Sequence, residues 1–428
     1  MKVLVLGGGG REAAIVWKTL QSARVEQVYC APGNAGIARM ATCLDIDLKK
    51  PDKLAAVAKD LGVNLTVCGP EQPLVMGVSD AFTRLGLRFV GPSRAAAALE
   101  GSKVFAKEFM SRHRIPTATF AVCETIEEAK DIFDSNLLDG FPVVIKADGL
   151  ASGKGVFIAP DREQALDVIH GLLVERKLGE AGRRIVLEEC LTGVETSFLV
   201  FTDGKTMAPL APARDYKRLG DGDVGPNTGG MGAYSSPDLL DAGLQRKILR
   251  HIVQPTLTGL QSEGMTFKGV LYVGLMLTEQ GPRVLEYNAR LGDPEAQAIL
   301  PRLKTPFVDA LAAIADGTLD AVELKWSDEA AVCVVLASEG YPETAVTGRV
   351  IAGVEKAELH PGVLLFHAAT KRDESGQLVT SGGRVLSVTA LGDNLAQARQ
   401  RAYAAAAEIV FQGKQYRSDI ASAPSESA

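Results

Sequence analysis

The N-terminal hundred residues alternate short apolar runs with segments of helical spacing. KVLVL, VEQVYCAP, NLTVCGP and LRFVGP each run into glycine or proline, and the stretches between them predict helices from Glu12 to about Ser22 and over Pro51–Leu61. Apolar runs punctuated by Gly or Pro and followed by helical periodicity signal βαβ units around a parallel sheet. Ligands of such a sheet gather beyond the carboxyl ends of its strands. Here those ends read GGGGRE, APGNAG, GPEQP and GPS.

A helix is expected over Ser102–Arg114, and Ile115-Pro116 resets the chain after it. A second unit follows: strand Pro142–Ala147, a glycine loop at 149–155, strand Gly155–Ala159, a helix over Arg162–Leu173 and strand Arg184–Glu189. Further strands (SFLVFT, GVLYVGLML, RVLEYNA) surround a polar, glycine-rich loop at 214–232. The last hundred residues are strand-rich and close with an alanine-rich helix at 395–411 and a polar tail. The pattern divides the α/β chain into 1–101, with a Rossmann-like parallel sheet; 102–325, with a lid-like subdomain at about 122–189; and 326–428.

Length agrees, since 428 residues exceed one typical core. Hydrophobic content of 46% with 44 glycines describes a compact α/β protein, too apolar for a disordered one. A formal charge of −6 leaves no basic surplus to displace the counterions of nucleic acid. No stretch approaches a membrane span or a signal peptide. The six cysteines are scattered without a C-x-x-C pair, so reduced packing thiols and a cytoplasmic location are expected. Five dispersed histidines argue against a zinc site.

Gly7-Gly8-Gly9-Gly10-Arg11-Glu12 after the first strand has the look of a dinucleotide fingerprint, but Glu12 stands in the third glycine slot. The second strand ends Ala31-Pro32-Gly33, with no acid for a ribose hydroxyl. NAD is therefore not expected. A glycine turn at a helix start suits an anion or polar substrate instead. The loop Gly149-Leu150-Ala151-Ser152-Gly153-Lys154-Gly155 is not a P-loop, because Gly155 and not Ser or Thr follows Lys154. Between two strands it can fold over a triphosphate as a lid, with Lys146 and Lys103 as point charges.

In Arg283–Arg290 residues two apart share a face, which aligns Glu286, Asn288 and Arg290 opposite Leu285, Tyr287 and Ala289. A carboxylate and an amide oxygen side by side offer hard ligands to Mg²⁺, and Arg290 can fork a carboxylate. The turn through Gly292, Asp293, Pro294 and Glu295 is acidic.

Lys103, Lys146 with its glycine loop, the EECL stretch and the Glu-x-Asn-x-Arg strand stand in the order found in ATP-grasp enzymes. APGNAG, GPEQPLVMGVSD, LEGSK, VVIKADGLASGKGV, GPNTGGMGAYS, YNARLGDPE and GGRVLSVTALG narrow the likeness. From Lys2 to about Ile420 the chain resembles the glycinamide ribonucleotide synthetases, the phosphoribosylamine–glycine ligases of purine biosynthesis. The resemblance implies an ATP-grasp fold with a mobile lid and a strand-rich C-terminal domain. It implies ATP and Mg²⁺ or Mn²⁺, small-molecule substrates (an amino acid and a phosphorylated amine), and a monomer or homodimer. For ATP it implies Lys103, Lys146, Gly149, Ser152, Gly153, Lys154 and Gly155 around the phosphates, Glu189, Cys190 and Leu191 at adenine, Glu195 at the ribose, and Glu188 as a further contact. Glu286 and Asn288 would hold the metal; Asp215, Lys217, Arg290 and Asp293 would serve the amino acid and the chemistry. Gly9, Glu12 and Glu71 would face the phosphoribosyl amine, Lys371 and Arg384 its phosphate, with Asn227, Thr228, Gly229 and Gly382 as further substrate contacts.

Departures from the family pattern fall at Gly8 (Asn), Ala13 (His), Arg214 (Gln), Tyr216 (His), Ala296 (Thr) and Ser381 (Asn). They raise a second reading, a ligase of the same chemistry with another amine or amino acid. A third is a non-catalytic nucleotide-binding scaffold. Intact Lys146, Glu286, Asn288 and Arg290 argue against the third.

Overall fold

A computed structural model describes residues 1–135, 137–151 and 154–422. Five parallel strands, β1 (Lys2–Gly7), β2 (Gln27–Pro32), β3 (Thr42–Cys43), β4 (Leu65–Cys68) and β5 (Phe89–Val90), form the first sheet in the order β3-β2-β1-β4-β5. Val3 through Leu6 are wholly buried, because a parallel sheet is covered on both faces; that is why KVLVL is a continuous run and not an alternation. The first helix spans Gly10–Thr19, starting earlier and ending sooner than the Glu12–Ser22 expectation. Its start is set by Glu12 at the third helical position, whose carboxylate accepts the Gly9 N–H at 2.6 Å in the manner of a capping box.

The next unit is an antiparallel sheet of β6 (Phe120–Cys123), β7 (Val143–Ala147), β8 (Val156–Ala159) and β9 (Ile185–Glu189), ordered β6-β9-β7-β8. Helices Ile126–Asp134 and Arg162–Leu173 share a core with it through Ala129, Ala165, Ile169, Ile145 and Leu187.

The central segment contributes β10 (Val194–Thr202), β11 (Met207–Pro209), β12 (Arg214–Asp215), β13 (Arg218–Gly220), β14 (Val224–Asn227), β15 (Gly232–Ser235), β16 (Gly269–Thr278) and β17 (Gly281–Asn288). β11-β10-β16-β17 form one antiparallel sheet. The stretch 214–232, expected as a loop, is largely paired backbone. β13 and β14 make a hairpin, while β12 and β15 join a sheet with the C-terminal strands β18 (Ala330–Ala337), β19 (Val363–His367) and β22 (Arg384–Gly392). That sheet, ordered β12-β15-β18-β22-β19, crosses the boundary drawn at 325. The alternation was masked by short strands rich in glycine and charge, which pair because long-range partners hold them and not because they favour strand. A small hairpin, β20 (Thr370–Arg372) and β21 (Leu378–Thr380), flanks it. The last helix spans Leu395–Glu408, short of residue 411, because Val410 exchanges backbone hydrogen bonds with Ala352. Among the described residues no helix is long and apolar enough to cross a membrane.

Candidate active site

A cleft of about 1120 Å³ opens where these units meet. Its lining draws on the Pro70-Glu71 turn, helix Lys103–Arg112, both β7 and β9, the stretch 214–229, β17 with the turn after it, and the C-terminal residues Tyr341 and Arg384.

On one wall Glu188 of β9 is 1% exposed and lies between two ammonium groups. Lys146 of β7 stands 2.9 Å from its Oε1, and Lys107, one turn past Lys103, stands 2.8 Å from its Oε2. Lys146 also donates to the Leu285 carbonyl at 3.0 Å, which ties this wall to β17. Sequence reasoning missed Lys107, since a lysine on a helix ordinarily reads as solvated. Glu188 was expected among the ATP contacts; its side chain engages the two lysines, although Glu188 Oε1 accepts no bond of full hydrogen-bonding geometry and has room for another donor. Glu189, Cys190, Leu191 and the exposed Glu195 follow along the lip of the cleft. Leu150, Ala151, Lys154 and Gly155 line the mouth, and the Gly149 N–H is bound to the Ala181 carbonyl and faces no ligand space. Ser152 and Gly153 lie outside the described residues.

β17 departs from the simple alternation expected of it. Gly274 pairs with Glu286 and Leu275 with Val284, so Leu285 is an extra residue in a β-bulge. A bulge puts consecutive residues on one side. Leu285 therefore shares the cleft with Glu286 and Asn288, while Tyr287 and Val284 enter the core. Burial alone would raise the Glu286 pKa, but Lys217, Lys103, Lys146 and Arg290 outweigh it and hold the carboxyl ionised, below its ordinary value. An ionised carboxylate beside the Asn288 amide oxygen suits a divalent ion that keeps phosphates and waters as its other ligands. No cluster of three His, Cys, Asp or Glu side chains suited to a metal occurs among the described residues. The donor set thus fits a nucleotide-borne ion and not a protein cage.

Arg290, expected as a free fork, is occupied. It lies 2.6 Å from Glu100 and 3.3 Å from Glu71, and donates to Asn288 Oδ1 at 3.2 Å. Glu100, also missed by the sequence reading, is 8% exposed and further accepts the Ala289 N–H at 2.7 Å. It fixes the backbone just beyond Asn288.

The facing wall carries Asp215 and Lys217. Burial lifts Asp215 to about 7 against the pull of Lys217, with Glu295 and Glu195 adding to the rise. Burial works downward on Lys217, but Asp215 and Glu195 overcome it and leave the ammonium firmly protonated. Thr228 donates to the Lys217 carbonyl at 2.9 Å, and the Gly229 N–H donates to the Tyr341 hydroxyl at 2.8 Å. Asp293 and Arg384, expected on different substrates, are bound to one another at 2.9 Å. Arg384 also donates to the Asp293 carbonyl at 2.8 Å and to the Gly229 carbonyl. Tyr341 and Arg384 thereby clasp the Asn227–Gly229 segment from the C-terminal side.

Several expected substrate contacts are elsewhere. Gly9 and Glu12 do not line the cleft: the Gly9 amide and the Glu12 carboxylate satisfy each other, and Arg11 binds Glu12 at 2.6 Å. The turn offers no free Gly9 amide to an anion. Lys371 is exposed on β20, and Gly382 packs near Ala369; neither lines the cleft. The departures mostly face away too. Ala13 and Ala296 are buried core, and Tyr216 stacks on Arg417 at 4.8 Å with its hydroxyl accepting from the Ala421 N–H. A Cβ at Gly8 would stand 2.5 Å from the Gly33 carbonyl oxygen. Ser381 is exposed and outside the lining. Of the six only Arg214 and Tyr216 border the cleft. Nearness in sequence to motif residues does not bring Gly8, Ala13, Ala296 or Ser381 to the lining.

Comparison with known proteins matches the whole organisation. The phosphoribosylglycinamide synthetase N domain matches residues 1–100, its ATP-grasp (A) domain 101–296 and its C domain 331–423. A phosphoribosylamine–glycine ligase of Ralstonia nicotianae is 48% identical over 421 residues, 98% of each chain. One from Caldanaerobacter subterraneus subsp. tengcongensis is 46% identical over 98% of this chain and 99% of its own. The crystal structure of the Thermotoga maritima phosphoribosylamine–glycine ligase superposes with a TM-score of 0.82 at 36% identity, covering 98% of this chain and all of that one. A biotin carboxylase domain of Hydrogenobacter thermophilus, at 18% identity and a TM-score of 0.71, shares the fold. With all three domains matched in order over nearly its full length, the chain belongs to the phosphoribosylglycinamide synthetase family of ATP-grasp ligases.

Proposed function

We propose that this cleft joins glycine to phosphoribosylamine with ATP, through an acyl phosphate, and that the residues gathered in it divide the work. The observation that carries the reading is the convergence on one cleft of two cationic side chains, Lys103 and Lys146, with the Glu286–Asn288 pair and the Asp215–Lys217 wall.

Lys103, Lys146 and Lys154 neutralise phosphate oxygens; Glu189 to Leu191 receive adenine, and Glu195 the ribose. Glu286 and Asn288 would hold Mg²⁺ or Mn²⁺, which when bound spreads the charge of the transferring phosphoryl group. A glycine carboxylate oxygen attacks the γ-phosphorus and ADP leaves. The amine nitrogen then attacks the carbonyl carbon, phosphate leaves, and the nitrogen sheds a proton. Asp215, with a pKa near 7, is suited to take it. Lys217 stands beside it as a fixed cation for developing negative charge. No side chain needs to become covalently bonded, so positioning carries much of the rate.

ADP release by the full chain tests this: it should require glycine and phosphoribosylamine together. Glu286→Ala should lower kcat by at least about 100-fold while the unfolding midpoint moves little, as loss of a transition-state electrostatic contact does. Normal turnover of that variant at saturating Mg²⁺ sinks the metal assignment. ADP release that ignores both substrates sinks the reaction.

A further inference from the structure

Three ionisable groups form one buried unit on the nucleotide side of the cleft, and two of them, Glu188 and Lys107, have no role in the reaction described above. Glu188 has two oxygens and two ammonium partners, both at the lining of the cleft: Lys146, which also reaches the Leu285 carbonyl, and Lys107. The side chains of Lys107 and Glu188 are each 2% exposed. Lys107 is further fixed by donating to Thr117 Oγ1 at 2.7 Å, and Thr117 in turn donates to the Val284 carbonyl at 2.6 Å. The unit is thus anchored to the strand that carries Glu286.

Two cations sharing one anion leave a net charge of +1. Were Lys107 absent, Glu188 would neutralise Lys146 in a one-to-one pair and turn toward it alone. A buried carboxylate in such a pair draws the ammonium off any competing anion. We infer that Lys107 is a positioning residue for the nucleotide, holding Glu188 in place so that Lys146 keeps its direction and a net positive charge for the phosphates of ATP. The inference rests on ATP occupying this cleft.

Titration gives it a signature. Burial brings the Lys107 ammonium down to about 8 despite Glu188, with Lys146 lowering it further. The charged groups facing it are Glu188 and Glu189 from β9 and Lys146 from β7, with Lys103 on its own helix; β6 presents the Phe120 ring at 5.9 Å. As pH rises through about 8 Lys107 loses its proton and Glu188 is released onto Lys146. An arginine at 107 stays charged throughout.

The experiment measures KM for ATP and kcat in the full-length enzyme from pH 7 to 9, for wild type, Lys107→Met, Lys107→Arg and Lys146→Met. Removing one charge-assisted contact should raise the KM for ATP about tenfold in Lys107→Met, with kcat held within about twofold. Lys107→Arg should restore KM near neutrality. Wild-type KM should climb through about pH 8, and that climb should be missing in Lys107→Arg. If Lys107→Met does not fold, the wild-type and arginine profiles decide alone: parallel profiles overturn the inference. A normal KM in folded Lys107→Met overturns it as well. Lys146→Met separates the two levels. If it raises KM and Lys107→Met does not, only the role of Lys107 falls; if neither does, the assignment of ATP to this wall falls first.

Discussion

Asp215 shows how one side chain's surroundings set a measurable property. Its carboxyl titrates near 7 because burial disfavours the anion more than Lys217 restores it. In the unfolded chain the same group titrates near 4, so between about pH 4 and 7 the native state holds the extra proton. Stability from this residue is therefore fully present below about pH 4 and is lost as pH rises toward 7. Glu286 and Asp293, whose pKa values are depressed, slope the other way at lower pH, so the comparison must be with Asp215→Asn. Between pH 5 and 7.5 the wild type should lose on the order of 2 kcal/mol relative to that variant, read from urea midpoints. Equal slopes would show that Asp215 ionises normally. Gly8 makes a second residue-scale case. A side chain there meets the Gly33 carbonyl oxygen at 2.5 Å, so Gly8→Asn, which restores the family's residue, should destabilise by about 1–3 kcal/mol and lower kcat/KM. A gain in kcat/KM for glycine and phosphoribosylamine would revive the idea of an altered substrate.

At the scale of elements, the sequence was most legible where burial was two-sided or alternation long. The helix at Arg162–Leu173 emerged with its expected bounds, and KVLVL, GVLYVGLML and RVLEYNA each fell on a strand. It was least legible where distant partners decide. Nothing in RVLEYNA announces the bulge at Leu285, because the extra residue is defined only against β16. Glu100 and Lys107 read as solvated helix residues, and only the approach of Arg290 and Glu188 makes them internal. The 214–232 segment is the strongest example. Its hairpin is pinned by Arg417, which is 1% exposed, binds Asp223 and Asp419 at 2.6 Å each, and donates to the Arg218 carbonyl. Its guanidinium also lies over Tyr216. Arg417→Ala should cost about 2–3 kcal/mol, less than a fully buried pair because Asp223 is largely exposed. It should also depress kcat/KM, since Asp215 and Lys217 share that segment. Loss of stability with kinetics intact would show that the segment holds its shape without Arg417.

For the molecule as a whole, the question is whether the C-terminal quarter is an independent body. Sequence pattern placed a boundary at 325, and an autonomous domain would carry its own closed core. The sheet β12-β15-β18-β22-β19 argues otherwise, because its first two strands come from residues 214–235. β15 pairs with β18 along four residues, Gly232 to Ser235 against Val334 to Ala331. Ala233, Ala298, Ala331 and Cys333 form a small shared core there. Arg302, 2% exposed, donates to Ser235 Oγ at 2.6 Å and to the Ser327 carbonyl at 3.1 Å, which knits both sides of the boundary. Arg384 crosses in the other direction to Asp293. Cutting at 325 would therefore strip the partner from β15 and leave unpaired, apolar strand edges on both fragments, a state prone to aggregation. We predict that residues 1–325 and 326–428 expressed separately are each unfolded or aggregated. The intact chain should show the 214–235 strands and β18 exchanging their amide hydrogens in one cooperative step, as segments of one unit do. Mixing the fragments during refolding should recover part of the ADP release, because pairing of β15 with β18 rebuilds the wall that carries Asp215. A soluble, well-dispersed 326–428 fragment with native circular dichroism would make the C-terminal quarter a true domain. The clasp of Tyr341 and Arg384 on Gly229 would then be a contact between separate bodies, free to open and close over the substrates.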